Sequence, residues 1–278
     1  MYAAIDIGGT KTLAASLDDN GVILQKIKFK TPQNYDQFIK ELRTAVGSLD
    51  VKDFQAGGIG APATHLDRRH GRGIDFGNLD WHNVPLLDDI EAITKCPMVL
   101  DNDAKMAGLS EAMLVKEIYS RVLYVTVSTG IGVALVVDKQ IDENIGDAGG
   151  KTLLIEHNGT LEPWESFASG SAIVRRYGST AEDLNDKTTW IQISRDLAKG
   201  FIELIALTQP EVIIIGGSVG THYKKYGAYL TAELKKYETP MLIIPPIQGA
   251  GRPEEAVVFG CYDLAKTTYA QQPAGGAH

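Results

Sequence analysis

A glycine-rich turn near the start of the chain has the residue types that bind phosphate. Residues 6–12 read DIGGTKT and follow an apolar strand pattern. Glycine has no Cβ, so the backbone can come close to a phosphate and point its N–H groups at it. Asp6 ends the strand pattern, where an unpaired buried carboxylate is costly, so it requires a partner. The predicted phosphate contacts are Gly8, Gly9 and Thr10, with Lys11 as a nearby cation.

A second turn repeats this plan further along the chain. Residues 127–132 read VSTGIG and separate two strand patterns, 122–127 and 131–137. The first turn likewise separates strand patterns at 3–7 and 12–17. Two strand–turn–strand units of one kind indicate a duplicated α/β domain. The groups predicted to bind further phosphates belong to Ser128, Thr129 and Gly130.

A glycine pair at the end of a third strand pattern is a candidate nucleotide contact. Residues 209–217 read QPEVIIIGG, a buried strand pattern that ends in Gly216 and Gly217. A nucleotide can lie flat on backbone that carries no side chain. An ordinary strand-to-helix turn would explain the same two glycines.

Strand and helix patterns alternate through the remainder of the chain. Apolar residues at helical spacing predict helices over 34–49, 104–114, 188–208 and 221–237. Short apolar runs predict strands over 54–62, 96–103 and 241–246. Strands separated by helices are typical of parallel sheets covered on both faces. The sequence therefore predicts an α/β protein, with a hinge near 113–121 and a return crossing near 250.

Composition and charge exclude several classes of protein. The chain carries 27 basic and 35 acidic side chains, a formal charge of −8, without a basic cluster, so nucleic acid is not an expected partner. No apolar run reaches the roughly 18 residues that span a membrane. The first residues lack a secretion-signal pattern, and we expect a cytoplasmic protein. Cys96 and Cys261 lie in apolar surroundings and are interpreted as buried side chains, not as a disulfide.

The stretch GDAGGKT, residues 146–152, imitates a phosphate-binding P-loop without matching it. A P-loop has four residues between its glycines and joins a strand to a helix. Here only three residues separate Gly146 from Gly150, and the segment that follows lacks helical periodicity. We therefore do not predict a P-loop.

Taken in sequence order, these motifs resemble those of the ROK family (repressors, open reading frames and kinases) in the sugar-kinase/actin-like ATPase superfamily. DIGGTKT resembles its first phosphate motif, VSTGIG its second, and PEVIIIGG its adenosine-side motif. LDNDAKMAGLSE, residues 100–111, resembles its catalytic strand-to-helix corner. GNLDWHNVPL, residues 77–86, resembles the segment beside its sugar pocket, and ESFASGSA, residues 165–172, a further signature. The resemblance covers essentially the whole chain.

The resemblance implies a particular fold and domain organisation. It implies two duplicated actin-like ATPase lobes, of the ribonuclease H-like kind, with a cleft between them. Residues 1–115 would form the N-terminal lobe, completed by a C-terminal helix over 254–270. Residues 116–253 would form the second lobe and residues 271–278 a flexible tail. Family members usually dimerise, so a homodimer is also implied.

The resemblance assigns the chemistry to the corner at Asp103. As a general base, Asp103 would take the proton of a sugar hydroxyl while that oxygen attacks the γ-phosphorus of ATP in line. Asp6 would bind the magnesium ion of Mg·ATP through water. Capping of the following helix is the competing role for Asp103, and Asp101 is expected to face away because strand neighbours alternate. Sugar hydroxyls would be contacted by Asn78, Asn102 and Glu165.

One segment departs from the family pattern. Where ROK kinases have roughly A-G-E-x-G-H-M, residues 148–154 read AGGKTLL, with Gly150 in place of the glutamate and Leu153 in place of the histidine. In the family both replaced residues hold sugar hydroxyls, and the histidine commonly ligates zinc. The family's zinc-binding cysteines have no counterpart either, so no zinc is expected. His157 is interpreted as a solvated side chain.

The leading hypothesis is an ATP- and magnesium-dependent kinase of a hexose-type sugar, with specificity altered from glucose. The departure has three explanations: a pocket widened for a substituted or larger sugar, compensation by Lys151 or Glu156, or a protein that binds nucleotide without phosphorylating sugar. Another acceptor, or another donor such as polyphosphate, is a further alternative. A repressor is disfavoured, because family repressors carry a helix-turn-helix segment ahead of DIGGTKT, which begins here at residue 6.

Overall fold

The computed structural model describes residues 1–269 of the chain. The flexible tail predicted over 271–278 lies outside the described residues. The chain divides into two compact units. Unit 1 comprises Met1–Ser110 and the segment that begins at Glu255, and unit 2 comprises Glu111–Glu254.

The strands and helices follow the alternation that the sequence predicts. Unit 1 contains β1 (Tyr2–Ile7), β2 (Lys11–Leu17), β3 (Ile23–Lys30), α1 (Tyr35–Gly47), β4 (Ala56–Ala61), β5 (Ala63–Asp67), β6 (Arg72–Phe76), β7 (His82–Val84), α2 (Leu86–Thr94), β8 (Met98–Asn102) and α3 (Asp103–Val115), whose last residues belong to unit 2. Unit 2 contains β9 (Arg121–Val127), β10 (Ile131–Val137), β11 (Gln140–Ile141), β12 (Leu154–His157), β13 (Thr160–Pro163), α4 (Trp164–Ala168), α5 (Gly170–Tyr177), α6 (Lys187–Thr208), β14 (Val212–Gly216), α7 (Gly217–Gly220), α8 (Tyr223–Leu234) and β15 (Ile247–Gly249). Short 3₁₀ helices lie at Gly149–Lys151 and Lys235–Tyr237, and α9 (Ala256–Tyr269) belongs to unit 1. Across residues 1–269, no helix combines the length and the apolar character that a membrane crossing requires.

A five-stranded sheet in the order β3-β2-β1-β4-β8 forms the centre of unit 1. β1 pairs antiparallel with β2 and parallel with β4, and β4 pairs parallel with β8. In this register Asp6 lies opposite Gly60, and Gly60 lies opposite Asp101. Because the carboxyl ends of parallel strands meet at one edge of a sheet, the residues that follow β1 and β8 are brought together there.

The central strand β4 is rich in glycine because helix α9 lies very close to it. A Cβ at Gly58 would lie 2.5 Å from the carbonyl oxygen of Cys261, and a Cβ at Gly60 would lie 2.4 Å from Cγ1 of Val257. The opposite face of the sheet packs against α1 and α2 through side chains such as Phe38. The sheet is therefore covered on both faces, and Cys261 is fully buried, as the sequence predicts.

Unit 2 contains a second five-stranded sheet with the same topology, in the order β11-β10-β9-β14-β15. β9 pairs antiparallel with β10 and parallel with β14, which pairs parallel with β15. Side chains of α6 and α8, among them Trp190 and Leu230, form its hydrophobic core together with β9 and β14. The predicted duplicated α/β fold is confirmed.

The strand predicted over residues 241–246 is wrong. That segment carries an isolated bridge between Thr239 and Leu242, and the paired strand β15 begins only at Ile247. Two prolines end the segment and lack the N–H groups that strand pairing uses. Met241 and Ile243 are 92 % and 72 % exposed, and only Ile244 of this apolar run is buried in the core of unit 2.

Candidate active site

The turn at residues 8–11 joins β1 to β2 and exposes backbone where a phosphate is predicted. It is closed by a hydrogen bond from Gly8 N to Lys11 O (2.9 Å). A Cβ at Gly8 would lie 2.8 Å from Lys11 O, and one at Gly9 would lie 3.2 Å from Cβ of Asn78. Thr10 and Lys11 are exposed. The four predicted contacts thus form one continuous turn, and their role in binding stays a prediction.

Asp6 is the penultimate residue of β1, one residue before this turn begins to form after Ile7, and it is partly buried. Burial and the charge of Asp103 raise the pKa of Asp6 to about 7, and Lys28 opposes that shift. One carboxylate raises the pKa of another only when the two are near each other. The fold of unit 1 therefore brings Asp6 and Asp103 into one small region.

At the corner between β8 and α3, the adjacent side chains of Asn102 and Asp103 have different surroundings. Asn102 is buried, and its Oδ1 accepts hydrogen bonds from Ala104 N (2.9 Å) and Lys105 N (3.3 Å). Its Nδ2 donates to Ala63 O at 2.9 Å, which leaves one N–H of that group for a ligand. Asn102 is therefore the N-cap of α3. The capping role that competed with catalysis for Asp103 is filled by its neighbour.

Asp103 is the first residue of α3 and is partly buried. Its Oδ1 accepts a hydrogen bond from Ala104 N at 2.7 Å. Burial raises the pKa of Asp103 to about 7, although that hydrogen bond lowers it. A carboxylate that titrates near neutral pH has the proton affinity that a general base needs at that pH.

Arg68 fixes Asp101, the other acidic residue of this corner. It lies between β5 and β6, and its Nη2 donates to Asp101 Oδ1 at 2.6 Å. The same oxygen accepts a hydrogen bond from Asn102 N at 2.7 Å. Asp101 is thus engaged with a guanidinium group, and this partner was not found from the sequence because 33 positions separate the two residues.

Asn78 is exposed beside the first turn. Its carbonyl oxygen accepts a hydrogen bond from Gln33 Nε2, and Gln33 Oε1 accepts one from Asp80 N, both at 3.3 Å. Unit 1 therefore contains five elements of the predicted site: Asp6, the turn at 8–11, Asn78, Asn102 and Asp103.

The second predicted phosphate turn lies in unit 2, between β9 and β10. Ser128 N donates to Gly130 O at 2.9 Å, and Ser128 O accepts from Gly170 N at 2.7 Å. Glu165, on α4, accepts a hydrogen bond from Ile131 N at 3.2 Å through Oε2. A Cβ at Gly130 would lie 2.6 Å from that same oxygen. The turn is thus held in place by the segment that carries the predicted sugar residue Glu165.

Gly216 and Gly217 are required by packing inside unit 2. Gly217 has a φ of +80°, and a Cβ there would lie 2.5 Å from Val127 O. A Cβ at Gly216 would lie 2.2 Å from the hydroxyl oxygen of Tyr124. The strand-to-helix turn that stood as the alternative therefore accounts for both glycines, and their contact with a nucleotide stays a prediction.

A cavity of about 570 Å³ lies beside the Ser128–Gly130 turn within unit 2. Ser128 and Thr129 line it. Its other lining residues include Ser171, Arg175, Ala181, Glu182, Val219 and His222. Sequence analysis missed these six as site residues, although Ser171 falls in the ESFASGSA signature that it identified.

The GDAGGKT segment packs on β10 and is not a phosphate loop. Residues 149–151 form a 3₁₀ helix, and a Cβ at Gly150 would lie 2.8 Å from Cβ of Ile131. Leu153, in the place of the family's histidine, packs on the hydrophobic core of unit 2. Glu156, one of the two residues suggested as compensation, accepts a hydrogen bond from Gly159 N at 2.7 Å.

The interpretation of His157 as a solvated side chain is wrong. His157 is 9 % exposed, and its ring stacks on Phe167 with centroids 4.0 Å apart. Lys199 Nζ lies 3.5 Å from its Nδ1. The hairpin β12–β13 places the ring against α4, and sequence alone gave no sign of that pairing. Residues 1–269 contain no group of three or more His, Cys, Asp or Glu side chains arranged to hold a metal ion.

Comparisons with known proteins agree with these motifs. The model of the ROK family matches residues 2–268. A glucokinase of Streptomyces coelicolor is 27 % identical over 261 residues, which cover 79 % of this chain and 82 % of the relative. An N-acetylmannosamine kinase of Yersinia pseudotuberculosis is 28 % identical over 298 residues, which cover 95 % and 98 %.

A solved structure of a ROK family protein has a similar fold. A ROK family glucokinase from Streptomyces griseus, in complex with glucose and AMPPNP, superimposes with a TM-score of 0.80. The superposition covers 96 % of this chain and 99 % of that one, at 24 % sequence identity. At that identity the likeness concerns the fold, which is the actin-like ATPase fold expected from the motifs.

Proposed function

This chain belongs to the ROK family, and we propose that it transfers the γ-phosphate of ATP to a hydroxyl group of a hexose-type sugar. The observation that carries the proposal is the pair of carboxylates in unit 1, Asp6 and Asp103, beside a bare glycine turn. Relatives named as glucokinase and N-acetylmannosamine kinase support the reaction class.

Asp103 is proposed as the general base. Its pKa of about 7 lets it accept the proton of the sugar hydroxyl at neutral pH. As that proton moves to Asp103, the hydroxyl oxygen forms a bond to the γ-phosphorus, and the bond from the γ-phosphorus to the bridging oxygen of ADP breaks. Asn102 supports this step by capping α3, which fixes the backbone at Asp103.

Asp6 is proposed to bind magnesium through water. Magnesium retains several of its waters and uses one or two carboxylates together with substrate phosphates, so it needs no cluster of protein ligands. Asp6 is a partly buried carboxylate beside the phosphate turn, and the charge of such a hydrated ion would offset the burial that raises its pKa. The ion supplies neutralisation of charge on the phosphate oxygens. Asp6 would accept hydrogen bonds from waters bound to that ion.

Each unit has its own proposed contacts for ATP. In unit 1 the turn at residues 8–11 offers backbone amides and the ammonium group of Lys11 to a phosphate. In unit 2, Ser128, Thr129 and the adjoining cavity of about 570 Å³ are proposed to bind nucleotide. A cavity of this size falls in the range of small-molecule sites.

The sugar is proposed to differ from plain glucose. Asn78, the free N–H of Asn102 and the second oxygen of Glu165 remain for hydroxyl groups. Position 150 cannot supply a further contact, because the space that a side chain would need is filled by Ile131. Each missing hydrogen bond to a buried hydroxyl costs about 1 to 3 kcal/mol, so a substrate with different substituents is favoured.

The test is release of ADP from Mg·ATP in the presence of a panel of hexoses that includes N-acetylated and deoxy sugars. We expect one class of sugar to stimulate release, and Asp103→Asn to reduce that stimulated rate by about 10² to 10⁴. Asp50→Asn, at an exposed position of unit 1, serves as the matched control and should retain the rate.

Two results would count against the proposal. If the protein binds ATP and no sugar stimulates ADP release, the chain binds nucleotide without acting as a sugar kinase. If polyphosphate supports sugar phosphorylation and ATP does not, the proposed phosphate donor is wrong, and the proposed sugar acceptor is unaffected.

A further inference from the structure

Thr31, the residue that follows β3, makes contacts with three residues of the first phosphate turn and its flank. Its Oγ1 donates to Gly8 O at 2.8 Å, and its backbone N donates to Thr10 O at 3.0 Å. Oγ1 of Thr12 lies 2.9 Å from Oγ1 of Thr31. Thr31 is 2 % exposed and Thr12 is fully buried, so these hydrogen bonds are shielded from water.

The direction of these bonds follows from the donors available. A threonine hydroxyl has one hydrogen, and that of Thr31 goes to Gly8 O. Thr12 must therefore donate to Thr31, which gives a chain from the Thr12 hydroxyl through the Thr31 hydroxyl to the carbonyl of Gly8. Removal of the Thr31 hydroxyl would break both links of this chain.

The chain determines where an amide of the turn points. In a trans peptide the C=O and N–H groups point in opposite directions. Because the Gly8 carbonyl is held toward buried Thr31, the N–H of Gly9 in the same peptide must point away from it. Gly9 also has no side chain to screen that N–H. An amide fixed in this way costs no reorganisation when an anion binds.

We propose that Thr31 is a positioning residue for the terminal phosphate: it holds the Gly8–Gly9 peptide so that the Gly9 amide donates to the γ-phosphate. This inference rests on the proposed function, since it takes the turn at residues 8–11 as the γ-phosphate contact. Thr31 itself does not touch the nucleotide. Its effect is confined to ligands that carry a third phosphate.

The test compares affinities for a non-hydrolysable ATP analogue and for ADP, each with magnesium, by titration calorimetry. For Thr31→Val, which keeps the shape and loses the hydroxyl, we expect affinity for the analogue to fall about tenfold while affinity for ADP stays within about twofold. Thr31→Ser restores the hydroxyl and should restore the affinity for the analogue. Thermal unfolding of each variant reports whether the fold is intact.

Thr94→Val is the matched control, because Thr94 is a buried threonine of unit 1 whose hydroxyl bonds to Ile90 O at 3.0 Å. It should lose stability without changing the ratio of the two affinities. Equal losses for analogue and ADP in Thr31→Val, or no loss for either, would overturn the positioning role, as would a wild type that does not prefer the analogue. Failure of the proposed function is separate: it is the absence of sugar-stimulated ADP release in a wild type that shows this preference.

Discussion

The two sheets have one topology and carry different chemistry at the same places. In both, a central strand pairs antiparallel with the second strand of a tight turn and parallel with a following strand. Asp6 lies opposite Gly60 in unit 1, and Thr126 lies opposite Gly216 in unit 2. The position of a carboxylate in one unit is thus that of a neutral hydroxyl in the other.

The next parallel strand of each sheet, β8 in unit 1 and β15 in unit 2, also differs between the units in the residues that follow it. β8 ends at Asn102 and is followed directly by Asp103, whereas β15 runs into residues 249–253, GAGRP, which have no carboxylate. In the proposed function, the two copies of one fold therefore have different roles. Unit 1 has the carboxylates proposed to accept a proton and attract a cation, and unit 2 has the glycines and hydroxyls proposed to bind an anion.

Apart from loss of the general base, the largest expected effect comes from removing the carboxylate that distinguishes the units. Asp6→Asn should lower the sugar-stimulated rate by about a hundredfold and raise the magnesium concentration needed for half-maximal rate, because the ion loses its charged partner. The measurement is the steady-state rate across a magnesium titration. Thr126→Val, at the equivalent position of unit 2, should stay within about threefold. Similar losses in both variants would contradict this difference in roles.

The second effect is a pH dependence that unit 1 alone should cause. Asp103 must be ionised to act as a base and Asp6 to attract the ion, and the pKa of each is about 7, so kcat/KM should fall about ten- to a hundredfold per pH unit below pH 6. The contribution of Asp103 to the free energy of unfolding changes with pH in the opposite direction. Because the folded pKa exceeds the value of 3.8 for a free carboxyl, the protonated group favours the fold, and that contribution is lost as pH rises through about 7.

The direction of this change in stability can be checked directly by thermal unfolding. Asp103→Asn should be more stable than wild type at pH 8, and the difference should shrink toward zero at pH 4. The expected gain is on the order of 1 to 3 kcal/mol at pH 8, since one pKa unit corresponds to about 1.4 kcal/mol. A variant that is less stable than wild type at pH 8 would show that the carboxylate is stabilised by its surroundings instead.

The smallest expected effect compares one glycine from each unit, Gly217 in unit 2 and Gly47 in unit 1. Gly217→Ala should lower the free energy of unfolding by about 1 to 3 kcal/mol, because its φ of +80° and its contact with Val127 O disfavour any side chain. Gly47→Ala, at the end of α1 with open space around its Cβ, should be neutral or stabilising. Chemical denaturation measures both. Equal stability of the two variants would mean that the backbone of unit 2 relaxes around position 217.

Local patterns predicted most of the fold. The hairpins, the long helix α6 and the repeat were recoverable because apolar spacing and turn residues are contiguous in sequence. The strand at 241–246 was misplaced because apolar residues were taken as buried, whereas Met241 and Ile243 are exposed. Periodicity alone does not distinguish an apolar loop from a short core strand.

For the candidate site, motifs located the glycine turns and carboxylates but not the residues that support them. Thr31 and Arg68 act through partners more than 20 positions away, with 23 to Gly8 and 33 to Asp101. Likewise, the ring of His157 contacts Phe167 only because β12 and β13 pair and place it against α4. Such contacts depend on tertiary geometry, which a single sequence does not state.

The packing of Gly150 has an evolutionary consequence. A side chain there would meet Cβ of Ile131 at 2.8 Å, and every residue except glycine has a Cβ. Trimming Ile131 to alanine would therefore not make room, and a glutamate could return to position 150 only after the 146–152 backbone had shifted. Acquiring a glutamate at position 150 therefore takes more than one substitution, because the backbone around it must change as well.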